Sequence, residues 1–525
     1  MRSSLATLAT LAILTLAACQ PVGGPSTHPT PQTRPAPAAT GVAQTPVIAP
    51  HAAFRALADS LLEDRRFRSA HWGVLVVDPS TGDTLYSRNA GKLFMPASNQ
   101  KLITGAVALA RLGADFRYET RVMGSASVRD GVLAGDLGVL GSGDPTFSDS
   151  LAGGDAMAPF RALADSLAAR GIREVAGRLR RAAPVFPDST LGFGWSWDDL
   201  DYGYSAPVDA LFFNEGIARV TVIGGAATGA PVTVRTAPAH TVPALGVIAV
   251  TTIARDATGA NGRVMARSRV EWTSDVRGVR PLLSLSGQVI AGDSVTLEVA
   301  LRHPSGAWLD AFAEALAARG IRVRGGVEPN GFADTTGMVT LTARRSPPLR
   351  EILPRFEKPS QNQIGELLFK TLGRVETGSG TADSGRAVVE RHLLAWGADS
   401  AGFAVRDGSG LSRHDYLAPE TIVRVLDTMR RHPEFRIFYD ALPIAGIDGT
   451  IRTRMRGTPA QGNVHAKTGT LDKARALSGY VTTADGHLLL FSMLANNHVV
   501  SNAEVERVQD ALLVWLSSNR LGASR

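Results

Sequence analysis

Residues 95–113 read MPASNQKLITGAVALARLG, and the fold follows from how this stretch is framed by its neighbours. Pro96 opens a helix, apolar residues recur at three- and four-residue spacing, and Gly113 closes it. Three steps along a helix return to the same face, so the Ser98 hydroxyl and the Lys101 amine can meet. A lysine deprotonates a serine only when burial or a nearby cation lowers its pKa, so the pair demands an enclosed site. The helix start also gives the Ser98 backbone N–H a favourable position for a developing negative charge. Working outward, residues 52–67 (AAFRALADSLLEDRRF) read as a helix. Residues 71–78 and 83–89 (HWGVLVVD, DTLYSRN) read as two strands joined by the Pro79–Gly82 turn. At the far end, residues 474–497 (ARALSGYVTTADGHLLLFSMLANN) form a second hairpin with Asp485-Gly486 at its turn, and residues 503–519 a last amphipathic helix. The middle carries short Val/Thr/Gly strands. The expectation is an α/β (α+β) body built from the two chain ends, residues 52–118 and 347–525, with helices flanking an antiparallel sheet. Residues 119–346 are inserted as two smaller, largely β modules, about 119–143 with 213–346, and 144–212.

Two further motifs carry chemistry. Lys467-Thr468-Gly469-Thr470 precedes the second hairpin and so falls on an edge strand. There a lysine offers a fixed positive charge and a threonine a hydrogen bond for a carboxylate, while Gly469 lets a ligand backbone lie close. Ser360-Gln361-Asn362 stands in KPSQNQIGELLFKTLG (358–373), where Ser360 fits the N-cap of the following helix. Capping alone accounts for such a tripeptide when it is read in isolation.

Composition narrows the classes. The 525 residues suggest two to four domains, with 44% hydrophobic content for sizeable cores. The formal charge is +7, and only six of the 55 basic residues are lysine. These charges are scattered, which argues against nucleic acid as a partner. Cys19 is the sole cysteine, which excludes a disulfide scaffold and a cysteine-based zinc site, and no His-x-x-x-His pattern suggests a zinc hydrolase. No cofactor or metal is expected. Residues 1–19 (MRSSLATLATLAILTLAAC) read as a secretory signal with an apolar run too short to span a bilayer. Its end, Leu16-Ala17-Ala18-Cys19, resembles a bacterial lipobox, in which the cysteine is lipidated. Gln20 then suits an outer membrane if the cell is Gram-negative. The Pro/Thr/Ala-rich residues 20–50 read as a tether. The expected location is the cell envelope, with a lipid anchor in the membrane and the body facing the periplasm.

Ser-x-x-Lys, Ser-x-Asn and Lys-Thr-Gly, in that order, are the signature of penicillin-recognising serine enzymes. Here 262 residues run from Ser98 to Ser360 and 107 from Ser360 to Lys467. With GDLGVLGSGDPTF (135–147), GWSWDDLDYGYSAPVDAL (194–211), RDGSGLSRHDYLAP (406–419), LPIAGIDGT (442–450) and AKTGTLDKARALSGYV (466–481), the chain from about residue 52 onward resembles the class C low-molecular-mass penicillin-binding proteins. These are D-alanyl-D-alanine carboxypeptidase/endopeptidases of the penicillin-binding protein 4 type. The resemblance implies a penicillin-recognising serine transpeptidase-like domain interrupted by the insert. It implies Ser98 as acylated nucleophile, Lys101 as its base, and Ser360 as the proton carrier to the leaving amine. Asn362 would hold the substrate amide, Lys467 and Thr468 the terminal carboxylate, and the N–H groups of Ser98 and Thr470 the oxyanion. Asp199 and Arg413 match positions that read the amine and carboxylate of a diaminopimelate side chain. Peptidoglycan stem peptides and β-lactams are the implied partners. Gln361 stands where this family usually has Asp, and Asp472 where some relatives have a neutral residue. The competing readings are a serine β-lactamase and a non-catalytic wall-binding lipoprotein. Between Ser360 and Lys467 no Glu has an Asn four residues on, as a class A β-lactamase would require, and the intact motifs speak against a dead site.

Overall fold

Leu488–Asn496 is the middle strand of the main sheet, and all but its first residue is buried. Its alternate side chains serve two different cores. Leu490 and Leu494 pack with Ile103 and Val107, whereas Leu489, Phe491, Met493 and Ala495 pack with Phe54, Leu512 and Leu516. A strand buried on both faces must lie between two helical layers. One layer is formed by Pro50–Leu62 and Asn502–Ser518. The other is centred on Gln100–Leu112, whose first ten residues are all buried.

The coordinates are a computed structural model and describe residues 50–238, 244–256, 267–275 and 282–522. The expected signal segment, Cys19 and nearly all of the tether at 20–50 lie outside the described residues.

The main sheet has the order Thr84–Arg88, His71–Val77, Leu488–Asn496, Ala474–Thr482, His465–Leu471, antiparallel throughout. His71 pairs with Asn496, so strands from opposite ends of the chain are hydrogen-bonded neighbours. His465–Leu471, with the Lys-Thr-Gly motif, is an edge strand.

The long insert leaves and returns through one hydrogen-bonded gateway. Glu119–Gly124 pairs antiparallel with Val339–Arg345, and just inside it the Ser346 N–H donates to the Tyr118 carbonyl and the Tyr118 N–H to Ser346 Oγ. Beyond this gateway, strand pairing departs from the expected subdivision. One module joins 119–181 to 304–345, through the sheet Val327–Phe332, Leu179–Arg181, Leu137–Leu140, Glu119–Gly124, Val339–Arg345. The other lies within 217–300 and, among the described residues, carries two three-stranded sheets. The partition of 119–143 with 213–346 against 144–212 is therefore corrected: Leu137–Leu140 pairs parallel to Leu179–Arg181, and that bond crosses the expected boundary. The first module is also less β-rich than expected. Ala158–Ala169 and Pro304–Ala318 are helices around Phe147, Phe160, Trp308 and Phe312. Their Ala-rich turns are good helix formers. Residues 182–216 run from this module back to the main body.

Candidate active site

Ser98 sits in a single 3₁₀ turn, Ala97–Asn99, that leads into the buried helix. Ala97 is held at φ 48°, a left-handed conformation that a residue with a Cβ adopts at a cost. Two glycines show what holds it there. A Cβ at Gly410 (φ 79°) would lie 1.9 Å from the Ala97 carbonyl oxygen, and one at Gly469 would lie 2.4 Å from that of Pro96. The turn is thus wedged between the 407–412 loop and the edge strand. This revises the reading of Gly469: the backbone that needs its missing side chain is that of the serine's own turn.

Lys101 is fully buried. Its Nζ donates to Ser98 Oγ at 2.9 Å, to Asn362 Oδ1 at 2.6 Å and to the Ser409 carbonyl at 2.7 Å. Burial lowers its pKa to about 8, against the opposing pull of Asp407, Glu357, Glu366 and Asp415. Its Nζ is therefore pre-aimed at the Ser98 hydroxyl, and its neutral form is accessible near neutral pH.

Lys467 Nζ donates to Ser360 Oγ at 2.8 Å and to the Thr468 carbonyl at 3.0 Å. Burial and the charge of Lys101 both lower its pKa. Asn99 Nδ2 donates to the Lys467 carbonyl at 2.8 Å, which ties the Ser98 turn directly to the edge strand. The Thr468 hydroxyl lies 2.7 Å from that of Thr450. Thr470 is exposed, and its hydroxyl accepts from the Arg475 guanidinium.

The middle motif is arranged differently from the expectation. Gln361, not Ser360, caps the helix Asn362–Thr377: its side-chain oxygen accepts from the N–H groups of Gln363 and Ile364. Ser360 is left free of capping at φ 66°, and its hydroxyl serves Lys467 instead. Asn362 is spanned between two regions, accepting from Lys101 and donating to the Tyr204 carbonyl at 2.7 Å.

Tyr204 belongs to the loop returning from the insert, so the insert touches the centre of the site. Gln363 Nε2 also donates to the carbonyls of Gly203 and Ala206, and Trp195 Nε1 donates to Asp407 Oδ2 at 2.9 Å. Asp407 in turn accepts the N–H groups of Ser409, Gly410 and Ser412. It shapes the turn whose Ser409 carbonyl holds Lys101. Asp199 accepts from the Tyr204 hydroxyl at 2.6 Å. Arg413 donates to the Asp472 carbonyl at 3.4 Å. Among the described residues neither Asp199 nor Arg413 takes part in an ion pair.

A model of the D-Ala-D-Ala carboxypeptidase 3 (S13) family matches residues 54–519. This chain belongs to that family. It is 37% identical over 472 residues to a D-alanyl-D-alanine carboxypeptidase of an Actinomadura species, an alignment spanning 87% of this chain and 83% of that protein. It is 26% identical over 438 residues to the D-alanyl-D-alanine carboxypeptidase DacB of Haemophilus influenzae, spanning 82% and 86%. In fold it resembles the crystal structure of penicillin-binding protein 4 from Haemophilus influenzae, with a TM-score of 0.73 and 24% identity over 88% of this chain and 99% of that one. The protein is accordingly a serine-type D-Ala-D-Ala carboxypeptidase, a hydrolase of the penicillin-binding class.

Several residues of this carboxypeptidase site escaped the sequence reading. Asp407, Ser409 and Gly410 lie in the quoted RDGSGLSR segment, and Thr450 ends LPIAGIDGT, but no spacing rule links either segment to Lys101 or Thr468. Tyr204 acts through a backbone carbonyl, which no side-chain motif reveals.

Proposed function

We propose that the carboxypeptidase acts through an acyl-enzyme on Ser98, with Lys101 as the general base. The observation that carries this is the 2.9 Å contact between Lys101 Nζ and Ser98 Oγ inside a buried polar cage. Neutral Lys101 takes the hydroxyl proton as Oγ attacks the carbonyl of the D-Ala-D-Ala bond. The backbone N–H groups of Ser98 and Thr470 receive the oxyanion. The C–N bond then breaks, and the proton held by Lys101 passes by way of the Ser360 hydroxyl to the departing D-Ala nitrogen. Lys101 is neutral again when water attacks the acyl carbonyl. It takes the water proton and returns it to Ser98 Oγ as the acyl group leaves. A bound carboxylate favours the charged form of Lys467, which with Thr468 holds that carboxylate throughout. Asn362 holds the substrate amide.

The same arrangement accepts a β-lactam, whose carboxylate would take the place of the D-Ala terminus. Cross-linked stem peptides are a second substrate, cut at the D-Ala linkage by endopeptidase action. Ser98→Ala abolishes both D-Ala release and covalent penicillin labelling in this reading. Penicillin mapped by mass spectrometry to a peptide lacking Ser98 would overturn it. Incubation with purified cross-linked muropeptides tests the endopeptidase step directly, by whether dimers fall to monomers.

For location, we infer an envelope protein lipidated at Cys19 and facing the periplasm. The lipobox-like ending of residues 1–19 supports this. Cys19→Ser should leave the protein unlabelled by radioactive palmitate and move it from membrane to soluble fractions. A wild-type chain without label would sink the inference.

A further inference from the structure

The loop 194–206, which returns from the insert, makes two hydrogen bonds to the main body that the acyl-enzyme steps leave without a task. Near its start Trp195 Nε1 donates to Asp407 Oδ2 at 2.9 Å, and near its end the Tyr204 carbonyl accepts from Asn362 Nδ2 at 2.7 Å. Each lands on a group that holds Lys101. Of the three described acceptors around Lys101 Nζ, Ser98 Oγ belongs to the turn that leads into the lysine's own helix. The other two, Asn362 Oδ1 and the Ser409 carbonyl, come from distant parts of the chain. The insert loop backs both of them.

A backbone carbonyl only accepts. The Tyr204 oxygen therefore keeps the Asn362 amide nitrogen on its own side and turns the amide oxygen towards Lys101. The buried Gln363 steadies that stretch, donating to the Gly203 and Ala206 carbonyls at 2.9 and 3.2 Å. At Ser409 the connection runs through Asp407, which is buried and, among the described residues, takes four N–H donors on its two oxygens. Ser409, Gly410 and Ser412 give three of them from its own turn, at 3.1, 2.6 and 2.7 Å, and Trp195 gives the fourth. Bonds to an ionised acceptor are stronger than neutral ones, and the indole plane is stiff. The same turn presses on Ala97 through Gly410, so a shift in it reaches nucleophile and base together. The loop is closely seated against this region. A Cβ on Gly194 would lie 2.4 Å from His414 Cδ2, and one on Gly192 would lie 2.2 Å from the Trp195 indole nitrogen.

We propose that Trp195 is a positioning residue for acylation: its indole N–H, brought by the insert to Asp407, fixes the Ser409 carbonyl against Lys101. The insert thereby completes the cage of the base, apart from any contact it makes with substrate. This rests on the base role given to Lys101 above. A Trp195–Asp407 bond that only anchored the loop would show its loss in folding or in substrate binding, and the chemical step would be spared.

Trp195→Phe keeps an aromatic ring and removes the donor. A closer replacement, benzothienylalanine placed at position 195 alone by nonsense suppression, keeps the bicyclic shape and exchanges the N–H for sulfur. Both proteins are assayed on an acetylated Lys-D-Ala-D-Ala peptide and by the rate of penicillin acylation, two ligands without a diaminopimelate side chain. The acylation rate, kcat and kcat/KM should fall together by about 10- to 100-fold in both, which leaves KM near the wild-type value. A wild-type acylation rate in the folded benzothienylalanine protein, or a raised KM with kcat unchanged, would overturn the proposal and leave the bond as an anchor for the loop. Failure of both proteins to fold would overturn it as well. Activity retained in Lys101→Arg, assayed beside them, would instead overturn the base role on which the proposal rests.

Discussion

Lys101 meets a hydroxyl, an amide oxygen and a carbonyl oxygen with its three Nζ positions, and none of these partners carries a formal charge. Such a cage orients the nitrogen without anchoring its proton as a carboxylate contact would. The consequence is a pH dependence with a definite sign. With the pKa lowered from 10.5 to about 8, the neutral amine grows roughly tenfold for each pH unit below that value and is nearly fully populated above it. The second-order rate of penicillin acylation should follow that curve, rising from pH 6 to 8 and then levelling. A flat profile over the range would remove Lys101 from the base role. Lys101→Arg should lose about 10²–10⁴-fold in the same assay, since a guanidinium keeps its charge at any working pH.

At the scale of single elements, the helix Asn362–Thr377 shows how the three motifs are built into one site. Its cap is Gln361, and the residues on either side of that cap reach opposite lysines: Ser360 touches Lys467 and Asn362 touches Lys101. The second amide atom of Gln361, Nε2, donates to Glu215 Oε2 at 3.5 Å, and Glu215 also accepts from Ser148 and Ser150 of the insert. An Asp at this position could cap the helix, but its carboxylate would stand near another carboxylate. Gln361→Ala should therefore cost about 0.5–2 kcal/mol of stability, read as a drop in the thermal midpoint, and should slow acylation as well. Gln361→Asp should be impaired beyond what capping explains, and adding Glu215→Gln should restore it. Equal behaviour of the single and double variants would discard the link. The elements also show what was legible in advance. The helix after Pro96, both terminal hairpins and the edge position of Lys467 follow from periodicity and turn residues, because each is a local pattern. The capping role of Gln361 stayed hidden because serine is the stronger cap by propensity, and only the positive φ of Ser360 turns it away. The partition of the insert was illegible for a different reason. Strands of two to four residues, such as Glu174–Val175 and Leu137–Leu140, are too short to show a period, and their parallel pairing joins distant positions.

Across the whole molecule, the insert explains itself by where it returns. Its two modules lie beyond the gateway at Tyr118 and Ser346, yet residues 194–206 come back to touch Asn362, Gln363, Asp407 and His414. A loop that merely closed a surface would have no need of Trp195 bonded to the carboxylate that shapes the Lys101 cage. The same loop exposes Trp197 to 85% and presents Asp199 with a tyrosine hydroxyl as its only described side-chain partner. On the other side Arg413 holds a single long contact to a backbone carbonyl. An ordinary structural ion pair between Asp199 and Arg413 would have consumed both charges, and none is formed among the described residues. Both are therefore available to a ligand bearing an ammonium and a carboxylate together, as a diaminopimelate side chain does. Asp199→Ala or Arg413→Ala should then slow hydrolysis of diaminopimelate-containing stem peptides by roughly 10- to 150-fold in kcat/KM. That corresponds to the loss of one charge-assisted contact, about 1.5–3 kcal/mol. Penicillin carries no such side chain, so its acylation rate should stay near wild type, as should hydrolysis of acetylated Lys-D-Ala-D-Ala. The comparison across three substrates decides between recognition and support. Selective loss on the stem peptide assigns the pair to substrate reading, whereas equal loss on all three means that Asp199 and Arg413 only brace the loop against the site.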